Sequence, residues 1–375
     1  MRTMGIGMSH RMRCVLSIFT AFIFAMGATL PASAGWRNVD AQNAWAGYQA
    51  EFIHLESDGY SRVFVTTEGG TKPEDFWRQA EELEVAEDAY NENPTTANKN
   101  MVESLCDGFI YLHGDTWSSD VFNDDMDVAV IAMARAYLIT GTTRWKTDAQ
   151  NNYATVWNRA QAGDGGLCEK TVVPASCYEN SSVNWTFVIA AAILNDIAPS
   201  GTGYNSQGTG VYNWAVSNLY DSTTGQIYDG KGGITGQYTY NYGYAIIAAT
   251  WHKDSTVASN AATYVFNSLT NYDGLTPLGY NTMPDYSNGG TIQNGNDNGF
   301  NGILMRGVGF ANSKGYLPSA LLSAAQDNIN EAWSYRDGTH TLVWDDWDAS
   351  TPTSGNYSWN DSSALAGLLD LPPTA

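Results

Sequence analysis

Basic residues are scarce in this chain of 375: 18 Lys and Arg stand against 39 Asp and Glu, a formal charge of −21. Binding to a phosphate backbone needs clustered cations that displace counterions, so nucleic acid is excluded as a partner. Histidine is sparse too. His10, His54, His113, His252 and His340 are scattered, with no H-E-x-x-H and no i, i+4 pair, so catalytic zinc is not expected. A calcium site at Asp120, Asp124, Asp125 and Asp127 lacks the EF-hand spacing and its Gly. No metal or organic cofactor is expected. There is no G-x-S-x-G elbow, and Gly230-Lys231-Gly232-Gly233 lacks the Ser or Thr of a phosphate loop and reads as a turn.

Long apolar runs are equally rare. The one present, Cys14 to Leu30, follows Arg2, Arg11 and Arg13 and precedes Ala32-Ser33-Ala34, the layout of a secretory signal peptide cleaved before Gly35. Residues 1–34 carry three Arg and no acid, so the mature chain has 15 basic against 39 acidic residues. No linker, low-complexity tract or composition break follows, so residues 35–375 are expected to form a single secreted domain, a monomer with no membrane segment. Of four cysteines, Cys14 leaves with the leader. Cys168 and Cys177 fit a local disulfide in an oxidising compartment, with Cys106 a buried thiol, although spacing alone leaves three free thiols open.

What the chain has is apolar mass, 43% of residues, with 13 Trp and 22 Tyr. Helical periodicity predicts twelve segments: 40–55, 73–91, 95–112, 123–140, 142–161, 179–197, 205–220, 237–252, 254–269, 297–312, 315–335 and 356–369. Val128 to Ala134, Val188 to Leu194 and Tyr244 to Ala249 are apolar all round, as helices buried on every side must be. Arg144 to Arg159 and Asp254 to Leu269 are amphipathic. Six inner and six outer helices in alternation predict an all-α (α/α)6 toroid, or barrel. The loops 114–123, 163–180, 228–241 and 280–298 enter inner helices and would form a cleft on a shared rim.

The sharpest local feature is Asn123-Asp124-Asp125-Met126-Asp127, which feeds the apolar helix at Val128. Helix capping explains one acid there, but not several charges at a buried helix mouth. Adjacent carboxylates, on Cα atoms about 3.8 Å apart, can splay to flank an anomeric carbon, as retaining glycosidases require. A second pair, Asp345-Asp346 with Asp348, reads as loop decoration. Rings beside amides and acids, in Tyr228-Asp229, Tyr238 to Tyr242 and Trp333 to Arg336, fit sugar faces and hydroxyls.

Several ordered blocks carry a resemblance. Phe76-Trp77-Arg78-Gln79-Ala80-Glu81, Asp124-Asp125-Met126 with Ala134 to Gly141, Tyr178-Glu179-Asn180, Thr239 to Gly243, Phe300 to Arg306 and Ser363-Ala364-Leu365 resemble those of glycoside hydrolase family 76, the α-1,6-mannanases. The resemblance implies an (α/α)6 fold and retaining endo-hydrolysis of α-1,6-mannan, with Asp124 as nucleophile and Asp125 as acid/base. Asn180, Asp229, Tyr240 and Asn241, in the loops of rings, amides and acids, are further candidate sugar contacts. The chain departs from the usual family pattern at Asp127 and Val128, where Trp is usual, and at Tyr242, where Gln is common. A wall-remodelling transglycosidase on the same glycan and a non-catalytic glycan-binding protein are the alternatives.

Overall fold

The computed structural model describes residues 35–171, 177–199, 203–235, 238–269, 295 and 297–374. The expected leader at 1–34, and the loop 280–298 apart from residues 295, 297 and 298, lie outside these residues.

Twelve α-helices occur among the described residues. They are α1 (Asn38–Phe52), α2 (Phe76–Glu92), α3 (Thr96–His113), α4 (Asn123–Thr140), α5 (Thr143–Arg159), α6 (Ser181–Ile197), α7 (Tyr204–Asn218), α8 (Thr239–Trp251), α9 (Ser255–Ser268), α10 (Phe300–Ser313), α11 (Ser319–Ser334) and α12 (Ser358–Asp370). The even-numbered helices touch in a closed ring, α2 to α4, α6, α8, α10, α12 and back to α2. Each odd-numbered helix packs outside one or two of them, α5 on α4 and α9 on α8 for example. The fold is the (α/α)6 toroid.

The two sequence textures map onto the two layers. In α4 every residue from Met126 to Ala134 is buried. In α5 only one stripe is, including Trp145, Ala149, Asn152, Tyr153 and Val156, the spacing of a single helix face. The inner ring is tightest between α8 and α10, where Gly243 and Gly307 meet. A Cβ on Gly243 would lie 2.5 Å from the Ile303 carbonyl oxygen, and one on Gly307 2.7 Å from that of Gly243.

Three elements differ from expectation. The first helix stops at Phe52, not Leu55, because Ile53–Leu55 (β1) pairs antiparallel with Arg62–Phe64 (β2). The Asp58 carboxylate closes that hairpin by accepting from the backbone N–H groups of Tyr60 and Ser61, both at 2.8 Å. Asp345 and Asp346 are not loop decoration: they are 1% and 4% exposed, and Asp345 accepts from Asn298 Nδ2 at 2.5 Å and Asn360 Nδ2 at 3.0 Å. Finally, α2 is an inner helix although its sequence is charged, and all residues from Arg78 to Ala89 are buried.

That burial is compensated from across the ring. Arg306 of α10 pairs with Glu81 at 2.8 Å and Asp88 at 2.9 Å, while Arg135 of α4 meets Glu84, Glu87 and Asp88. Acids outnumber these two cations, so burial pushes Glu84 up to about 7 and Glu87 well above the usual carboxylate range.

Candidate active site

The N-terminal turns of five inner helices open onto one cleft of about 630 Å³. From them come Phe76 and Trp77 (α2), Asp124 and Asp125 (α4), Ser182 (α6), Tyr240 (α8) and Phe300 (α10). The positive ends of the helix dipoles therefore face the cleft that Asp124 and Asp125 line.

The α4 entrance is fixed by its own first residue. Asn123 donates from Nδ2 to the Cys168 carbonyl at 2.7 Å and from its backbone N–H to the Glu169 carbonyl at 2.7 Å. Arg159, ending α5, donates to Asn123 Oδ1 at 2.6 Å and to the Asp120 carbonyl at 2.8 Å. Cys168 and Cys177 form a disulfide with Cα atoms 5.0 Å apart, which ties down the loop carrying Glu169, and Cys106 is a buried free thiol.

Asp124 and Asp125 sit half-buried in the first turn of α4. Ser182 Oγ donates to Asp124 Oδ2 at 2.5 Å. Burial raises Asp124 to about 6, against the opposing pull of that bond. Asp125 goes further, to about 9, through burial and then the charges of Asp124, Asp120 and Glu169. At neutral pH the pair therefore holds one proton, on Asp125. Asp127 is not part of this surface: it is fully buried near Arg159, and burial holds its carboxyl well above the ordinary range.

Asp75, Asp120 and Glu169 also line the cleft, and among the described residues no basic one does. The walls are rings. Tyr240 packs on Phe300 at 4.2 Å and on Tyr244 at 5.9 Å, and Trp77 stands edge-on to Trp359 at 4.9 Å.

Of the expected sugar contacts, Tyr240 lines the cleft. Asp229 and Asn241 are not among the residues that line it: Asp229 accepts from Tyr178 Oη at 2.7 Å and from Asn241 Nδ2 at 2.9 Å. Asn180 caps α6, accepting from the Val183 N–H at 3.3 Å. Gly230 touches the Tyr178 ring so closely that a Cβ would lie 2.6 Å from it, and Lys231 bridges Asp164 and Glu179 at 2.5 and 2.8 Å. The glycine-rich turn thus clasps the disulfide loop. Trp333 and Arg336 stack on one another at 4.4 Å and do not line the cleft. The four N-x-S/T asparagines, Asn180, Asn184, Asn356 and Asn360, are all 4% exposed or less.

Sequence reasoning missed Ser182, Glu169, Tyr244 and Phe300. Ser182 and Phe300 carried a signal, since each stands in the first turn of an apolar inner helix, like Asp124. Among the described residues, no group of three or more His, Cys, Asp or Glu is placed to hold a metal ion.

An acidic, ring-walled cleft with a carboxylate pair at the mouth of an (α/α)6 toroid is the arrangement of a glycoside hydrolase. The profile of Glycosyl hydrolase family 76 matches residues 43–369, and the chain belongs to that family. No curated protein matches it. Among solved structures it is similar to an α-1,6-mannanase from Salegentibacter sp. HEL1_6, with 21% identity and a TM-score of 0.72 over 88% of this chain and 97% of that one. An inactive variant of that mannanase, with two consecutive aspartates changed to asparagine, was solved with α-1,6-mannotriose (20% identity, TM-score 0.72, 88% and 97% covered). A family 76 mannosidase from Bacteroides thetaiotaomicron aligns with 17% identity and a TM-score of 0.67 over 89% of this chain and 96% of that one.

Proposed function

We propose that the protein is a secreted endo-α-1,6-mannanase that hydrolyses the mannan backbone with retention of anomeric configuration. The observation that carries this reading is the carboxylate pair itself, two consecutive acids in the first turn of α4 that both line the ring-walled cleft, with Asp124 held by Ser182. The ring walls suit the apolar faces of a neutral sugar, and the aspartate pair replaced in the mannotriose complex of the Salegentibacter enzyme is likewise consecutive.

In the first step Asp124 attacks the anomeric carbon while Asp125 gives its proton to the departing glycosidic oxygen. The bond to the leaving sugar breaks and an ester to Asp124 forms. Water then attacks that carbon from the opposite face, passing a proton to Asp125 as the ester bond breaks, so both carboxyls return to their starting states. Tyr240 contacts the sugar directly, and Asp229, near enough for its charge to act on Tyr240, is tied to Asn241. No helix of the described residues is long and apolar enough to cross a membrane, and export rests on the leader at residues 1–34.

Linear α-1,6-mannan incubated with the protein should yield new reducing ends whose first-formed anomer is α. Asp124→Asn and Asp125→Asn should each lower kcat by about three orders of magnitude or more. No new reducing ends, or undiminished cleavage by Asp125→Asn, would sink the assignment; a β product would overturn retention alone.

A further inference from the structure

Beside the cleft lies a separate chamber of about 330 Å³, lined by Phe76, Leu112, His113, Trp117, Ser119 and Asp120. Phe76, Ser119 and Asp120 line the cleft as well, so the two spaces share a wall and a ligand in one reaches the edge of the other. The volume is at the small end of ligand pockets, which span roughly 300–1,000 Å³.

The chamber is built rather than incidental. His113 stands edge-on to Phe76 at 5.0 Å and against Phe109 at 4.8 Å, and Phe76 meets Trp117 at 5.9 Å. Trp117 is pinned at both ends, donating from Nε1 to the Gly114 carbonyl and from its backbone N–H to Asn152 Oδ1, each at 2.9 Å. Asp120 is oriented by the Phe122 N–H, which donates to Oδ1 at 2.9 Å. Trp117, 1% exposed, backs the chamber, and the half-buried Phe76 and His113 rings it helps to hold are the ones that contribute contact area without being ordered on binding.

Its chemistry selects a neutral, hydroxylated ligand. No Lys or Arg lines it, and burial lowers His113 to about 4, so that ring is uncharged at neutral pH. Ser119 and Asp120 supply a hydroxyl and an acceptor along one edge, and Phe76 and Leu112 an apolar wall. Apolar wall and polar edge together match the two kinds of surface on a pyranose ring.

We propose that this chamber is a glycosyl subsite that holds one neutral hexopyranosyl unit of the same glycan whose bond lies at Asp124 and Asp125. The proposal rests on the mannanase reading and goes beyond it, since it predicts how rate depends on the substrate's size and branching. Asp120, on the shared wall, would be touched by sugars on both sides.

The test is a comparison of kcat/KM over linear α-1,6-mannooligosaccharides of increasing length, and over branched against debranched mannan. Leu112 lines the chamber and not the cleft, so Leu112→Trp fills the one without entering the other. The wild type should show a step of about tenfold or more when the substrate gains the unit that fills the chamber. Leu112→Trp should erase that step and leave shorter substrates within about twofold. A step seen only with branched mannan, and erased in the same way, places a side-chain sugar there. A step that persists in folded Leu112→Trp protein, or no step with any substrate, overturns the subsite while leaving the mannanase reading intact. Should Leu112→Trp fail to fold, the smaller Leu112→Phe at the same position replaces it, read as the ratio of long to short substrate. Absence of all cleavage would instead strike at the mannanase reading. The subsite is then tested by calorimetry of α-1,6-mannotetraose on Asp125→Asn with and without Leu112→Trp, where about tenfold weaker binding is expected. Equal affinity, or no binding to either protein, would overturn it.

Discussion

Asp124 and Asp125 are neighbours in sequence, yet their surroundings separate them chemically. Asp124 receives a hydrogen bond from Ser182, which favours its anion, whereas Asp125 is buried and faces the charges of four other carboxylates, Asp124, Asp120, Glu169 and Asp75, which disfavour its own. Activity should therefore rise as Asp124 loses its proton near pH 6 and fall as Asp125 loses its own toward pH 9, a bell in kcat/KM. A profile flat from pH 5 to 8 would contradict the roles given to the pair. Ser182 acts through Asp124 and is a positioning residue. Removing a hydrogen bond to a charged group costs about 1.5–3 kcal/mol, so Ser182→Ala should lower kcat by about ten- to a hundredfold. The sign of the accompanying shift follows from the bond: without it the anion is less favoured, so the acid limb moves to higher pH. Ser182→Thr should restore both kcat and limb, and an unmoved limb in Ser182→Ala would show that the serine only packs. The acid pair was legible in the sequence because charges at a buried helix mouth need a reason. Ser182 was not read, because a serine there is ordinary capping material until its long-range partner is known.

At the scale of elements, periodicity revealed most of the toroid. Helices α4, α6 and α8 are apolar on every face, α5 and α9 on one, and that contrast separates inner from outer layer without any structure. The same rule fails for α2, whose run from Arg78 to Asp88 looks like a solvent-facing helix and is buried. Its compensation comes from Arg135 and Arg306, distant in sequence, and no local pattern reveals such partners. Asp345 was misread for the same reason, its amide partners Asn298 and Asn360 being remote or in another element. The ring also depends on close backbone approach. Because a Cβ on Gly243 would strike the backbone of α10 and not a movable side chain, Gly243→Ala should destabilise by roughly 1–3 kcal/mol. Gly210, within α7 and with nothing within 4 Å of its would-be Cβ, provides the contrast. Gly210→Ala should stabilise by roughly 0.5–1 kcal/mol through helix propensity alone. Urea midpoints for the two variants check this, and shifts of equal sign would show that α8 and α10 are not in contact through glycine.

For the molecule as a whole, excess acid bears on stability and, on the proposed function, on substrate choice. Glu84 near 7, Asp124 near 6 and Asp125 near 9 keep protons that the unfolded chain releases near pH 4. The stability linked to those protons is complete below about pH 4 and is lost as pH rises through the folded values. His113, held near 4, acts in the opposite sense, its contribution being present above its ordinary value of 6.5 and lost as pH falls toward 4. Thermal melts should therefore be highest at about pH 5 and decline by several degrees toward pH 8.5; a Tm that rises across that interval would contradict the buried acid network. The same excess reaches the substrate. Among the described residues the cleft is lined by five carboxylates and no cation, and residues 35–375 carry 15 basic against 39 acidic side chains. On the proposed function, a neutral mannan would meet no penalty from this field and would gain contact from Trp77, Tyr240 and Phe300, whereas a phosphorylated mannan would approach against it. Between exposed charges such repulsion is screened within about 10 Å at 0.1 M salt. Phosphorylated mannan should therefore be cleaved more slowly than neutral mannan at low ionic strength, with added salt narrowing the gap mainly through KM. A residual gap at high salt would measure the repulsion inside the cleft itself, where the carboxylates are partly shielded from solvent ions. Equal rates on both glycans at every ionic strength would show that substrate choice is set by the rings alone.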